Sequence, residues 1–199
     1  MLIGIDLDNT LIFYDKIFYQ EALKFNLIPY SIKKNKTSIR NHIKKELGNE
    51  SWITLQENVY GYAIRKAPAF PKAIDTIRKF ILDHEVCIIS HKTSYNSKFK
   101  KENMRNNAKK WLADNEIISL IGQENIFFED SQIKKIEKIN DLGCDIFIDD
   151  LPEIFSHQKF PMQIKKILFD PNYQSNNLDV CNVANSWSDV ENYIYTQAT

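Results

Sequence analysis

The chain has no excess of charge of either sign. Its 199 residues carry 26 Lys plus Arg against 26 Asp plus Glu. Holding a polyanion through many phosphate contacts requires a net positive field, so nucleic acid is not the expected partner. The basic cluster Lys33-Lys34-Asn35-Lys36 is read as solvated loop surface. Cysteine is scarce. Cys87, Cys144 and Cys181 are odd in number, far apart and without CxxC spacing, which argues against both a disulfide framework and a zinc site. Cys87 and Cys144 adjoin apolar runs and are read as packing residues. No apolar run approaches the roughly 18 residues that a membrane span needs. The opening Met-Leu-Ile-Gly-Ile-Asp has no basic region and no cleavage site, so a cytoplasmic protein with no membrane partner is expected. Internal repeats and low-complexity segments are also missing.

What is present is ordinary globular composition, with 43% apolar and 26% charged residues, in a length that suits one core domain with a modest insertion. Short apolar runs end in polar residues four times: Leu2–Ile5 before Asp6, Val86–Ile89 before Ser90, Ile146–Ile148 before Asp149, and Ile167–Phe169 before Asp170. These read as buried strands. Helical spacing separates them, in Ala73 to Ile81, Ala108 to Leu112 and Ile133 to Leu142. Pro71 is placed at a first helical turn, Ser131 at a cap and Gly143 at a stop, and Asp189 to Tyr195 is a short terminal helix. Alternation of strand and helix predicts an α/β fold, a parallel sheet with helices on both faces. From about Phe13 to Ala69 the rhythm breaks into candidate helices Lys16–Phe25, Ile32–Leu47 and Ser51–Tyr60, separated by Pro29 and Gly48.

In an open parallel sheet, ligands bind beyond the carboxyl ends of the strands, where Asp6, Ser90, Asp149 and Asp170 all fall. Asp6 and Asp8 are two residues apart, and alternate residues of an extended chain face one side. Two such carboxylates repel unless a cation compensates, and a hard divalent ion such as magnesium prefers oxygen ligands. Attack of a carboxylate on phosphorus further requires an ammonium group and hydrogen-bond donors to neutralise the phosphoryl charge. Ser90, Lys134 or Lys135, and Asp149-Asp150 supply these parts. Of the two adjacent lysines only one can point into a cleft. Lys135 is chosen, with Ile133, Ile136 and Ile139 as the buried face.

Asp6-x-Asp8-x-Thr10, Ser90, Lys135 and Asp149-Asp150, in this order, resemble the four motifs of the haloacid dehalogenase (HAD) superfamily, and the resemblance spans nearly the whole chain. It implies a Rossmann-like core and a magnesium cofactor. Asp6 would be the nucleophile and a metal ligand. Asp8 would be the general acid and base, with its backbone carbonyl at the metal. Lys135 would be the catalytic lysine and would bind phosphate together with Thr10, Ser90 and His91. Asp149 would complete the metal site, with Asp150 beside it or sharing that role. Dehalogenating relatives carry no acid at the position of Asp8, and ATPase-type members carry threonine there, so the resemblance narrows to a phosphatase or phosphomutase.

Asn9 departs from the glycine often found in this motif, and asparagine tolerates the unusual backbone angles such a turn demands. Glu153 is a further acidic candidate. His91 and Lys92 are placed near the cleft mouth, either to hold a second anionic group of the substrate or as a polar loop. The insertion resembles a HAD cap, giving a core of residues 1–12 and 70–199 and a helical cap of 13–69. Caps imply a small phosphorylated metabolite as substrate. The stretches Ile88 to Thr93 and Phe147 to Glu153 resemble a subgroup associated with sugar pathways, which suggests a sugar phosphate. The alternatives are a phosphomutase and a catalytically silent HAD-like module that binds a phosphorylated ligand.

Overall fold

The computed structural model describes residues 1–94, 103–173 and 181–196. The chain divides into two compact units, one of Met1–Ile12, Ala69–Lys92 and Asn115–Thr199, the other of Phe13–Pro68 and Thr93–Asp114. The second unit therefore takes in residues 93–114 as well as the stretch expected as an insertion.

The first unit holds strands β1 (Leu2–Ile5), β2 (Glu85–His91), β3 (Ile126–Glu129), β4 (Ile146–Asp149), β5 (Lys165–Phe169) and β6 (Asn182–Ala184). They form one sheet in the order β3-β2-β1-β4-β5-β6, every neighbouring pair parallel. Parallel neighbours need crossover connections, and helices flank the sheet accordingly. The predicted fold class is therefore the observed one. β1 occupies the middle because it is apolar throughout, with Ile3 and Ile5 fully buried. β3 and β6 are absent from the sequence reading. Both are edge strands, short and only partly buried, so neither shows the continuous apolar run of a central strand.

The helices of this unit are α4 (Ala73–Asp83), α6 (Ile117–Ile121), α7 (Gln132–Asp141), α8 (Pro152–Ser156) and α9 (Trp187–Thr196). Lys72 precedes α4 in a left-handed conformation (φ 65°), so Pro71 lies before the helix rather than in its first turn. In α7 the Ser131 hydroxyl accepts from the Lys134 N–H at 3.2 Å, satisfying one of the donors that a helix start leaves open. Its buried face is Lys135, Ile136 and Ile139. Ile133 is 44% exposed, against the expected pattern. The lysine, and not the isoleucine, turns inward.

Below the sheet Cys87, Ile89, Ile136, Ile139, Cys144 and Phe147 pack together, which makes Cys87 and Cys144 the packing residues they are read as. Gly4 is the close-approach point of this core. A Cβ added there would stand 2.6 Å from Phe147 Cδ2 and 3.0 Å from Cys144 Sγ. The aromatic ring so admitted carries the Lys135 ammonium 5.4 Å from its centroid, a cation–π contact.

The second unit contains α1 (Asp15–Lys24), α2 (Lys36–Glu46), α3 (Asn49–Tyr60), a 3-10 turn at Ala63–Lys66, and α5 (Met104–Asp114). α2 starts four residues later than predicted because the Asn35 side chain accepts from the Ser38 N–H at 2.7 Å and caps it there. The core of this unit is aromatic. Phe18 stacks on Trp52 at 5.2 Å, and Tyr60 meets Tyr14 edge-on at 4.9 Å. Phe18 and Trp52 are buried, so they pack and do not line a pocket. The Trp111 indole donates to the Ala67 carbonyl at 2.7 Å, which ties α5 to the far end of the first excursion. Among the described residues no helix is long and apolar enough to cross a membrane.

Replacing Gly4 with alanine forces the Phe147 ring out of its place. Overpacking of this kind destabilises by about 1–3 kcal/mol. Urea unfolding of Gly4→Ala against wild type is expected to show that loss, and an unchanged midpoint would contradict the close approach.

Candidate active site

Register brings the predicted residues to one end of the sheet. Ile5 pairs with Ile88 on one side and Ile148 on the other, so Asp6 follows β1 where Asp149 ends β4, and Ser90 stands two residues beyond Ile88. The Asp6 N–H donates to the Ile148 carbonyl at 2.9 Å, extending the β1–β4 ladder into the site. The carboxyl end of a central strand thus fixes the Asp6 backbone.

The Lys135 ammonium lies 2.6 Å from Asp6 Oδ1 and 2.6 Å from Asp149 Oδ2, and all three side chains are buried. Lys134 is exposed and pairs loosely with Asp130 at 3.7 Å. Asp149 is further held by the Leu151 N–H, which donates to its other oxygen at 3.0 Å. Burial raises the Asp6 carboxyl to about 7; Lys135 opposes the shift, and Asp149 and Asp8 add to it. Burial disfavours the Lys135 ammonium, but the attraction of Asp149 and Asp6 together outweighs it and holds the group above the ordinary lysine value.

Asp6, Asp149 and Asp150 offer carboxylate oxygens that all lie within 4.8 Å of one another. A divalent cation there would add positive charge where the three carboxylates converge. The donors are oxygen only, the chemistry that hard cations select. The cluster therefore fits a metal site.

Asp8 lies outside that cluster. Its side chain, 22% exposed, meets the Lys92 ammonium at 3.0 and 2.7 Å through its two oxygens. Lys92 is thus a buried partner of Asp8, not a group at an open mouth; its strand-end position gives no local hint of this. Asn9 takes the left-handed conformation (φ 60°) that the turn requires. The turn closes with the Leu11 and Ile12 N–H groups both donating to the Leu7 carbonyl at 3.0 Å. Thr10 is fully buried. Its carbonyl accepts from the Trp187 indole at 3.0 Å, and its hydroxyl finds no hydrogen-bond partner among the described residues. Ser90 is buried at the end of β2, while the next residue, His91, is exposed. Asp170 is buried after β5, where its backbone joins β6, and Glu153 is exposed on α8; neither belongs to the acidic cluster.

No family model and no curated protein matches the sequence. Solved structures do match. A haloacid dehalogenase-like hydrolase of Streptococcus pneumoniae superposes with a TM-score of 0.62 at 16% identity, covering 97% of each chain. YfnB of Bacillus subtilis, a HAD hydrolase solved bound to magnesium, gives 0.57 at 11%, again over 97% of each. The chain has the HAD-like fold. A 2-haloacid dehalogenase of Pseudomonas syringae also superposes, with a TM-score of 0.56 at 11% identity over 98% of each chain. One fold thus houses different reactions, and the side chains must decide between them.

Two outcomes follow from the buried charges. A carboxyl raised by folding favours the folded state below its unfolded value of 3.8, and this contribution is lost as pH rises through about 7. In chelator, Asp6→Asn should therefore gain melting temperature relative to wild type between about pH 4 and pH 8; a gap that does not change with pH would contradict the shift. Lys135→Met leaves two buried carboxylates unpaired and should cost about 3–5 kcal/mol in denaturant unfolding near neutral pH.

Proposed function

We propose that the protein is a magnesium-dependent phosphomonoester hydrolase acting on a small phosphorylated metabolite, with sugar phosphates the first class to test. The observation that carries this reading is the pair of carboxylates leaving β1, Asp6 held by Lys135 and Asp8 held separately by Lys92. A dehalogenase has no use for an acid at position 8. A phosphatase needs a group there to give a proton to the leaving oxygen and later take one from water.

In this reading an Asp6 oxygen attacks phosphorus and the bond to the leaving oxygen breaks, the departing group taking its proton from Asp8. The product is an aspartyl phosphate. Asp8, now a carboxylate, removes a proton from water, which attacks the phosphorus, releases inorganic phosphate and restores Asp6. Lys135, Ser90, Thr10 and His91 bind the phosphoryl oxygens, and the buried Thr10 hydroxyl is available for such a bond. Magnesium would be held by Asp6, Asp149, Asp150 and the Asp8 carbonyl, and when bound it neutralises phosphoryl charge. The magnesium-bound YfnB structure supports that choice of ion. The helical second unit is proposed as the cap, and three unbonded cysteines agree with a cytoplasmic enzyme.

The test is phosphate release from phosphorylated sugars, nucleotides and an aryl phosphate, with and without magnesium. Release should require magnesium, and Asp6→Asn should reduce it by about 10³-fold or more. Failure of wild type on every compound would overturn the reading, and phosphoryl exchange without net release would replace it with a mutase.

A further inference from the structure

Lys92 has no part in the reaction as written above. It is 4% exposed, and both of its ends are engaged. Its N–H donates to the Glu129 carbonyl at 2.9 Å, carrying the β2–β3 ladder one residue past the end of β2. Its ammonium meets both Asp8 oxygens, at 3.0 and 2.7 Å. A residue built this way is poorly placed to capture a second substrate anion, because its charge is already applied to a carboxylate and little of it reaches solvent.

What it can do is orient. An aspartate has two rotatable side-chain bonds, and Asp8 lies two residues from Asp6, whose negative charge disfavours close approach. A single contact would leave the Asp8 carboxylate free to swing about one oxygen. Contact of one ammonium with both oxygens, from a root pinned in the sheet, restrains its direction. The site then has two separate ammonium anchors, Lys135 for Asp6 and Asp149, and Lys92 for Asp8.

We propose that Lys92 is the positioning residue of Asp8, holding it aimed so that proton transfer at the leaving oxygen and at the attacking water starts from one geometry. This rests on the reading of Asp8 as the proton-handling group. Misplacement of a reacting group by about 1 Å costs on the order of 10²-fold in rate. Lys92→Met should accordingly lower kcat by about 10²-fold while KM stays within about threefold. In the pre-steady-state burst that forms the aspartyl phosphate, the loss should be larger for an alkyl phosphate, whose leaving oxygen needs a proton, than for para-nitrophenyl phosphate, whose leaving group departs without one.

The experiment compares wild type, Lys92→Met, Asp8→Asn and the double variant on both substrates with magnesium. A role through Asp8 makes the double variant no slower than Asp8→Asn, because the two changes disable one function. If Lys92→Met does not fold, the double variant still decides the matter, since it removes both members of the Lys92–Asp8 pair and is compared with Asp8→Asn alone. A further hundredfold drop in the double variant, equal losses on the two substrates in the burst that forms the aspartyl phosphate, or an unchanged kcat would each overturn the proposal. Those results differ from failure of the hydrolase reading, in which wild type itself releases no phosphate.

Discussion

The structure depends on one buried ammonium. Lys135 reaches two carboxylates from elements far apart in the chain, and neither side could be buried without the other. An isolated ion of either sign in that position would cost several kcal/mol, so the three groups stand or fall together. Local features converge on this point. Ser131 sets the start of α7, Ile136 and Ile139 turn its lysine inward, and the Phe147 ring lies beneath the ammonium because Gly4 has no side chain to obstruct it.

The convergence of carboxylates gives the site its character. Lys135 is shared between Asp6 and Asp149, and Asp150 brings a third carboxylate to the same cluster. The raised Asp6 carboxyl expresses that strain between burial and charge. Asp8 pairs with Lys92 instead, so the two carboxylates of the motif meet different ammonium groups. Such a separation lets two chemically identical side chains take different roles.

The HAD-like fold by itself does not choose a reaction, since structures described as hydrolases and as a dehalogenase both superpose on this chain, with TM-scores from 0.56 to 0.62. Besides the sheet, the chain has the helical second unit. That unit draws on two excursions from the core, residues 13–68 and 93–114, and is built around stacked aromatic rings. The loop after β1 is anchored from the other end of the sequence, where Trp187 of α9 binds the Thr10 carbonyl.

The amino-acid sequence alone determined the central strands, because β1, β2, β4 and β5 each contain a buried run of apolar residues, and it marked the polar residues that follow those runs. It also determined the turn at Asn9, whose residue type suits a positive φ. The edge strands β3 and β6 were illegible, since partly buried three- and four-residue segments have no distinctive period. The expected inward face of α7 was wrong at Ile133, for helical spacing defines a stripe without saying which edge of it meets the sheet. Only the tertiary structure decided the charge pairs. Lys135 and Asp6 are 129 residues apart and Lys92 and Asp8 are 84 apart, so their meeting is set by strand order and register, which no local pattern encodes.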